Sequence, residues 1–232
     1  METKLDLQKL NDEDRFNTAI RLLQEQVVDQ RKRLHFWKDL TNQPAQIDTG
    51  YVSQHLVSII TQIPGEGMRG KGEDLKDGSE VKSANFLDSL DKKGAVAPRW
   101  NFSSNDLTIM EGYLKVPSIY LVSLDLNSFE KFRARVWKID PRKHKVFNRR
   151  YIEWMEKLGK PKLKDPNRPG VNFQLFPPRN KTNDNFARHG NGRKNGFEPI
   201  KVMLEGLDGA ILIFKAEENE KGVIELKYPN KQ

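Results

Sequence analysis

The strongest hydrophobic periodicity in the chain is helical and lies near its N-terminus. Four apolar residues recur at intervals of four, three and four, which places them on one face of a helix: Phe16, Ile20, Leu23 and Val27. Asn11 precedes three acidic residues, so it supplies an N-cap ahead of a first turn with favourable charges. Because the pattern continues to Leu40, it predicts one long helix or two helices joined at a kink.

Two more amphipathic helices are predicted further along the chain. The first begins at Asp48 or Thr49 and ends before Pro64-Gly65. Its apolar face consists of Val52, Leu56, Ile59 or Ile60, and Ile63. The second ends before Gly159, and its apolar face consists of Phe147, Tyr151, Trp154 and Leu158. Both have the spacing of three and four residues that indicates a helix with one buried face.

Continuous and alternating apolar runs predict a sheet. Residues 118–126 are almost continuously apolar and β-branched, which is typical of a central strand buried on both faces. Residues 132–139 alternate between apolar and polar, which predicts an outer strand with one solvent-exposed face. Three short predicted strands close the chain, at 200–204, 210–214 and 223–227. The whole pattern predicts an α/β fold in which a central mixed β-sheet is flanked by helices, with a long N-terminal helix and a C-terminal β-rich segment.

We interpret residues 1–232 as a single domain with an N-terminal helical region (1–46), a core (47–158) and a closing region (159–232). Within the closing region, residues 159–197 are rich in proline, asparagine and basic residues and show little apolar periodicity. This composition predicts a long loop, and a loop of this length in a compact domain is usually functional or disordered. Three tryptophans are interpreted as core residues rather than as platforms for stacked bases: Trp100, Trp137 and Trp154.

Composition and charge narrow the classes of function. The chain has no cysteine, which excludes disulfides and thiolate chemistry. It has no run of about 18 apolar residues of the kind that crosses a membrane, and no apolar segment typical of a signal peptide follows Met1. These features predict a cytoplasmic protein with no membrane partner. Forty Lys and Arg against 32 Asp and Glu give a net charge of +8, which fits an ordinary solvated surface or a nucleic-acid partner.

The most informative polar pattern is D-x5-E-x-K, formed by Asp74, Glu80 and Lys82. Residues two apart in a strand point to the same face, so Glu80 and Lys82 emerge side by side while Val81 faces the opposite layer. Between the two acids lies Asp77-Gly78-Ser79, which is typical of a turn. A tight turn there folds the chain back as a hairpin and brings Asp74 next to Glu80.

Two carboxylates and a lysine at one strand end suit a divalent metal and a phosphodiester. Mg²⁺ takes oxygen ligands, keeps several waters and needs only one or two protein carboxylates besides the substrate phosphate. We therefore predict Asp74 and Glu80 as metal ligands, with the backbone carbonyl of Val81 as an additional candidate. Lys82 is predicted to orient the nucleophile or to stabilise charge on the phosphate. Asp77 is a rival for the position of the first ligand.

The tripeptide E-x-K by itself has little specificity in so charged a chain. Glu225-Leu226-Lys227 repeats it without an Asp in an upstream turn, and we interpret that copy as a solvated strand end. The alternative interpretation of the first copy is a charged β-hairpin with a structural role only. Its glycine-rich approach, residues 64–72, lacks the spacing of a P-loop, so no nucleotide cofactor is expected.

Asp74, Glu80 and Lys82 resemble the PD-(D/E)xK nuclease signature in its compact form, with a spacing comparable to mismatch-repair and Sau3AI-type endonucleases. The string from Arg69 to Asn85, followed by Pro98-Arg-Trp-Asn, is similar to type II restriction endonucleases of the MamI type. The likeness covers about residues 66–102. It implies a restriction-endonuclease-like core, Mg²⁺ dependence and cleavage of both strands at a short DNA site. It also implies a homodimer within a restriction-modification system.

The chain departs from that signature at two points. Glu73 stands where the signature has a proline before the first acid. The family often supplies another acid from the preceding helix, but the helix predicted over 49–63 has no Asp or Glu after its first turn. Gln54 and Glu66 are the candidates to take the place of that acid.

Candidate DNA contacts flank the acids or lie in the predicted loop, since Arg, Lys and Asn are the side chains that read guanine and adenine edges. They are Arg69, Lys71, Asn85, Arg99, Asn101, Arg179, Lys181, Arg188, His189, Arg193 and Lys194. The sequence therefore predicts a type II restriction endonuclease that hydrolyses double-stranded DNA. Two alternatives stay open, a repair or structure-specific nuclease of the same fold and a non-catalytic DNA-binding module.

Overall fold

The structure, a computed structural model, describes residues 6–41, 47–67, 74–87, 98–165, 167, 170–190 and 196–229. The helices are α1 (Asp12–Leu23), α2 (Asp29–Thr41), α3 (Gly50–Thr61), α4 (Leu107–Gly112), α5 (Lys145–Trp154) and α6 (Lys160–Leu163). The strands are β1 (Glu80–Asn85), β2 (Trp100–Ser104), β3 (Ile119–Leu126), β4 (Phe132–Ile139), β5 (Val171–Leu175), β6 (Phe186–His189), β7 (Ile200–Met203), β8 (Ala210–Glu218) and β9 (Ile224–Tyr228). None of these helices has the length and apolar character needed to cross a bilayer.

The long N-terminal helix is confirmed. A π-helical turn, Gln24–Val28, joins α1 to α2 without a break. Of the two predicted alternatives, the structure therefore has two helices joined at an irregular turn. The side chain of Asn11 caps α1 by accepting a hydrogen bond of 2.8 Å from the backbone nitrogen of Asp14. Buried residues on α1, such as Leu23, pack in the same apolar cluster as Leu56 of α3. The N-terminal helix is therefore anchored to the helix that precedes β1.

The central sheet is mixed, as predicted, and its five strands lie in the order β1-β3-β4-β8-β9. Strands β1 and β3 are parallel, whereas β3, β4, β8 and β9 pair in antiparallel fashion. Strand β3 is buried along almost its whole length, as its continuous apolar run predicts. Alternate residues of β3 belong to two apolar clusters, with Leu121 in one and Val122 in the other. Packed layers therefore cover both faces of the sheet. The α/β prediction, with a long N-terminal helix and C-terminal strands, is confirmed.

The prediction that residues 132–139 form an outer strand is wrong. Strand β4 lies inside the sheet between β3 and β8, and Arg133 and Arg135 of its alternating pattern are buried, whereas Lys138 is exposed. The guanidinium groups of Arg133 and Arg135 form ion pairs of 2.7 and 2.6 Å with the fully buried carboxylate of Asp125 on β3. Buried charges are tolerated when they are paired and hydrogen-bonded, so the alternation here indicates a buried ionic network instead of a wet face.

The prediction of a long loop over 159–197 is also wrong for much of its length. Helix α5 continues through a π-helical turn, Met155–Gly159, into α6. Strand β5 pairs with β2 as an antiparallel two-stranded ribbon, and β6 pairs with β7 in the same way. The alternation of apolar and polar residues in Val171–Leu175 is the sequence pattern that indicates β5. In the structure the apolar residues at its odd-numbered positions are buried. The connection between β5 and β6 is the longest irregular part among the described residues of this region.

The β2–β5 ribbon covers one face of the central sheet through an aromatic cluster. Phe173 of β5 and Phe102 of β2 lie with their ring centroids 5.9 Å apart in an edge-to-face arrangement. The three tryptophans are core residues, as predicted, with exposures of 0% for Trp100 and Trp137 and 5% for Trp154. The ribbon is therefore fixed to the sheet by large buried side chains. That residues 1–232 form a single domain stays a prediction.

Candidate active site

Strand β1 lies at the edge of the central sheet and carries the acid and the lysine on one face. The ammonium of Lys82 forms an ion pair with the carboxylate of Glu80, as the two-residue period of a strand predicts. Val81 points to the other face and is 6% exposed, in contact with the cluster that includes α1 and α3. Burial of Val81 thus fixes the direction in which the two charged side chains emerge.

A tight turn precedes β1, at the predicted position. The carboxylate of Asp77 accepts hydrogen bonds of 2.9 Å from both the backbone nitrogen and the hydroxyl of Ser79, and Gly78 has a φ of +82°, which favours glycine. The backbone nitrogen of Leu75 donates to the carbonyl of Ser79 at 3.2 Å. Asp74, but not Asp77, lines the cleft that also holds Glu80 and Lys82, so Asp74 is the better candidate for the first metal ligand.

The turn brings Asp74 against β1. Its Oδ2 accepts a hydrogen bond of 2.8 Å from the backbone nitrogen of Val81. The prediction of a two-stranded hairpin needs a correction, because the described residues before the turn contribute only an isolated bridge between Gly65 and Leu75. The strand that pairs with β1 is β3, far away in sequence. Asp74 is thus held by a side-chain bond to the free edge of β1 and not by a strand ladder.

The free edge of β1 also exposes a carbonyl oxygen. The N–H and C=O groups of one strand residue point to the same edge, and the N–H of Val81 points to Asp74. The carbonyl of Val81 therefore faces the same side as the Asp74 carboxylate. On the other side of Asp74, the side chain of Gln54 in α3 donates a hydrogen bond of 2.5 Å to Oδ1. Of the two candidates to replace a helix acid, only Gln54 contacts the Asp74 carboxylate among the described residues. The side chain of Glu66 is not involved, since its backbone nitrogen donates to the backbone carbonyl of Asp74 at 3.2 Å.

These groups lie in a cleft of about 840 Å³ between β1, the end of β2 and α4. Ser103 and Ser104 at the end of β2 line its opposite wall, and α4 contributes further residues. The hydroxyl of Tyr113, which follows α4, lies 3.5 Å from Nζ of Lys82, and the ammonium lies 5.0 Å from the centre of the Tyr113 ring. Sequence reasoning missed Tyr113, because a tyrosine beside a short helix carries no local signal of its neighbours in space.

Burial and charge act together on the titrating groups of the cleft. Burial raises the pKa of Asp74, although the hydrogen bond from Val81 and the charge of Lys82 oppose this rise. Burial lowers the pKa of Lys82, but Glu80, Tyr113 and Asp74 outweigh it, so the net pKa of Lys82 is raised. Burial also raises the pKa of the Tyr113 phenol. Lys82 is accordingly a cation and Tyr113 a neutral hydroxyl at neutral pH.

The donor set fits a divalent cation that prefers oxygen. Asp74 and Glu80 supply two carboxylates to a half-buried site in which Lys82 provides one positive charge, and Val81 adds a carbonyl at the same edge. Among the described residues, no group of three or more His, Cys, Asp or Glu side chains is arranged to hold a metal. Two carboxylates with waters are the arrangement that Mg²⁺ uses with phosphate substrates, whereas zinc takes nitrogen and sulfur ligands as well.

Three of the candidate DNA contacts near the site are described. Asn85 at the end of β1 is used locally, since its amide donates to the carbonyl of Ile47 at 3.3 Å and accepts from the nitrogen of Leu87 at 2.7 Å. Arg99 and the exposed Asn101 lie on the outer side of the β2–β5 ribbon. Four other candidates fall outside the described residues: Arg69, Lys71, Arg193 and Lys194.

The remaining candidates lie beyond β5 and differ in exposure. Arg179 and Lys181 are exposed, and Lys181 forms an ion pair with Glu130. Arg188 is half-buried and donates to the carbonyl of Pro177 at 2.8 Å. His189 needs a correction, because it is only 4% exposed and stacks on Phe173 with ring centroids 4.3 Å apart. Its imidazole belongs to the core and not to a surface that DNA contacts.

Comparison with known proteins adds an independent finding. A sequence model of one family, described as MamI restriction endonuclease, matches residues 36–216. A curated relative, the type II restriction enzyme MamI of Microbacterium ammoniaphilum, is 34% identical over 183 residues. The aligned part is 70% of this chain and 55% of the relative, so the chain spans about half the length of that enzyme. No solved structure matches.

Proposed function

The chain belongs to the MamI restriction endonuclease family, and we propose that it is a Mg²⁺-dependent type II restriction endonuclease of the PD-(D/E)xK class. It hydrolyses double-stranded DNA at a specific site, as part of a restriction-modification system. The observation that carries the proposal is the convergence of Asp74, Glu80 and Lys82 on one open cleft at the edge of the sheet. A cleft that holds two acids and a lysine supplies the groups that phosphodiester hydrolysis requires.

In this proposal Asp74, Glu80 and the Val81 carbonyl hold the magnesium ion. When bound, the ion neutralises charge on the phosphate and makes water a better nucleophile. The chain holds its first carboxylate in place on both sides, because Val81 donates to one oxygen of Asp74 and Gln54 donates to the other. The pair of bonds keeps the carboxylate fixed against the strand edge, which favours a preorganised site.

Lys82 is proposed to stabilise the transition state. Water adds to phosphorus while the bond to the leaving oxygen breaks, and negative charge gathers on the other phosphate oxygens during this step. In the metal-free site, burial lowers the pKa of Lys82, but Glu80, Tyr113 and Asp74 outweigh it, so the ammonium is protonated before the metal and the substrate bind. That state suits stabilisation of an oxyanion and not removal of a proton from water.

The proposal includes a homodimer in the cytoplasm, with 1–232 as one nuclease domain. A second copy would give two clefts, one for each strand of the duplex. The net charge of +8 suits binding to a polyanion. Helix α2 offers a surface for the second copy, since it has no buried residue and exposes Phe36, Trp37 and Leu40.

Digestion of plasmid DNA tests the proposed function. The protein is incubated with several plasmids of known sequence, with Mg²⁺ in one series and with EDTA in the other. Discrete, reproducible fragments in Mg²⁺ alone are the expected result. Nicking, or cleavage only of mismatched duplexes, would favour the repair nuclease instead. Binding without cleavage in any divalent metal would leave the non-catalytic DNA-binding module and would overturn the enzyme.

A further inference from the structure

The exposed face of the β2–β5 ribbon has an unusual composition. One face of the ribbon is buried in the aromatic cluster through Trp100, Phe102, Val171, Phe173 and Leu175. The opposite face carries four uncharged polar side chains, Asn101, Ser103, Asn172 and Gln174. The strand alternation therefore separates an apolar side, which fixes the ribbon to the sheet, from a side made of amides and hydroxyls.

The amides of this face are locked to one another. Asn101 and Gln174 are direct cross-strand partners. The Oδ1 atom of Asn101 accepts hydrogen bonds of 3.0 Å from Asn172 and 3.2 Å from Gln174. Arg99 then donates to Oε1 of Gln174 at 2.7 Å. Within the described part of the chain, the Nδ2 group of Asn101 and the Oδ1 atom of Asn172 make no hydrogen bond. A donor and an acceptor thus remain for a ligand on a preorganised surface.

The solvent-exposed face of strand β9 provides a comparison for the exposed face of the β2–β5 ribbon. Glu225 and Lys227, on one face of β9, are both exposed and charged, and they form an ion pair of 2.8 Å. None of the described residues on the β2–β5 face carries a carboxylate, a group that would repel a polyanion. The guanidinium of Arg99 lies at the end of this face. Composition therefore distinguishes this face from a merely solvated one.

The amide face continues directly from the catalytic cleft. Ser103 belongs to both, because it lies on the exposed face of β2 and lines the cleft. The Tyr113 hydroxyl, which neighbours Lys82, donates to the backbone carbonyl of Ser103 at 3.5 Å. Two residues of strand span about 6.6 Å, about two base-pair steps of B-DNA at 3.4 Å each. Base pairs over Asn101 would thus lie only a few pairs from the cleaved bond.

We propose that the exposed face of the β2–β5 ribbon enters the major groove and reads base edges next to the cleavage site, with the amides of Asn101 and Asn172 directed at an adenine and Gln174 holding Asn101 in position. This inference rests on the proposed nuclease function and adds the residues that select its DNA. The major groove is about 12 Å wide and admits a two-stranded β-ribbon. Amide side chains form paired hydrogen bonds with N6 and N7 of adenine, and each such pair discriminates against a wrong base by roughly 5- to 150-fold.

Cleavage of a randomised DNA library tests the ribbon. Wild type, Asn172→Ala and Gln174→Ala are each incubated with the library and Mg²⁺, and the sequences around the cut ends are determined. The wild type is expected to give a motif that contains A·T pairs within a few base pairs of the cut. Each variant is expected to cleave while its preference at one of those A·T positions falls by about 5- to 150-fold. Lys227→Ala, on the exposed face of β9, is the control and keeps the wild-type motif.

The outcomes separate the two proposals. A wild type that cleaves with a motif, together with ribbon variants that keep that motif unchanged, would overturn the ribbon proposal and leave the nuclease intact. A folded wild type that cleaves no DNA would overturn both. Circular dichroism checks that the variants fold. If a folded variant cuts too little DNA for its cut ends to be sequenced, the same substitution is made together with Lys82→Ala. The library DNA that this double variant binds is then selected and sequenced. A selected motif identical to that of Lys82→Ala alone would again contradict the ribbon proposal.

Discussion

At the scale of single residues, Lys82 has the most closely defined surroundings in the cleft. Its side chain is 17% exposed, is ion-paired with Glu80 and lies beside the ring and hydroxyl of Tyr113. These neighbours keep the ammonium charged and direct it into the cleft. Its role in the proposal is therefore electrostatic, and it is separable from DNA binding.

Substitution of Lys82 by alanine is expected to slow cleavage by about 10²- to 10³-fold, the usual loss when one donor to a transition-state oxyanion is removed. DNA binding should change little, because one cation among the 40 Lys and Arg residues is lost. Single-turnover cleavage rates and gel-shift titrations measure the two effects. Lys227→Ala is the matched control, since Glu225 and Lys227 form the same E-x-K tripeptide on exposed β9. Wild-type cleavage by Lys82→Ala would refute the site.

His189 makes stability depend on pH. Burial lowers its pKa below the ordinary 6.5, and Nδ1 donates to the carbonyl of Gln174 at 2.9 Å. Among the described residues its buried Nε2 has no hydrogen-bond partner, so the folded protein resists protonation there. The unfolded chain takes up that proton below about pH 6.5. The stabilisation by neutral His189 is therefore complete above that pH and is lost as the pH falls towards the folded pKa.

His189→Asn keeps a donor for Gln174 and removes the titration. The difference in unfolding free energy between about pH 7.5 and about pH 5 should shrink in this variant, by up to about 1.4 kcal/mol for each unit of pKa difference. Urea denaturation at the two pH values measures it. The exposed His55 supplies the control variant, His55→Asn. An equal pH dependence in wild type and His189→Asn would show that the imidazole titrates freely in the folded state.

At the scale of elements, the buried ionic network holds the connection between β5 and β6 on the central sheet. Asp125 of β3 pairs with both Arg133 and Arg135 of β4. The same two arginines donate to the side chain of Asn183 and the backbone carbonyl of Asp184, each at 3.2 Å. One carboxylate therefore compensates two buried guanidinium groups, which in turn fix a segment that is irregular by itself.

Asp125→Asn should destabilise the protein by about 3–5 kcal/mol, because it leaves two buried cations without a counter-charge. Urea denaturation measures the change in unfolding free energy. The exposed pair of β9 offers the comparison, and Glu225→Gln should have a much smaller effect because water screens that pair. If the two variants lose equal stability, the network at Asp125 contributes no more than a surface ion pair.

At the scale of the whole molecule, the proposed dimer depends on α2. Phe36, Trp37 and Leu40 are 65%, 56% and 67% exposed, and the Phe36 and Trp37 rings are in an edge-to-face arrangement with centroids 5.3 Å apart. Such side chains on a helix with no buried residue favour contact with an apolar surface. A two-fold axis would bring the same patch of each copy together.

Trp37→Glu is expected to shift the protein from dimer to monomer, because a carboxylate would be buried in the contact without a partner. Sedimentation velocity over a range of concentrations measures the masses. Ile152→Glu is the control, since Ile152 is 46% exposed on α5, whose buried residues pack on the other face of the sheet from those of α1. A wild type that sediments as a monomer at every concentration would contradict the dimer. A Trp37→Glu variant that stays dimeric would exclude α2 as its interface.

Local sequence determined the features whose causes are local. Helical spacing and an Asn11 cap are sufficient for α1, and the period of two places Glu80 and Lys82 side by side on β1. The turn signal at Asp77-Gly78 brings Asp74 to the same edge. Each feature depends on contacts within fewer than ten residues, so its pattern is visible in the sequence.

Tertiary structure alone decided what depends on partners distant in the chain. The same polar alternation is wet on β9 but buried on β4, because Asp125 of another strand neutralises Arg133 and Arg135. Tyr113 meets Lys82 only because β1 pairs with β3, whose partners are 39 residues apart (Glu80 and Ile119). The β2–β5 ribbon adjoins the cleft only because β2 pairs with β5, whose partners are 67 to 75 residues apart. Periodicity shows that a strand has two faces, but the side chains opposite it decide what each face contacts.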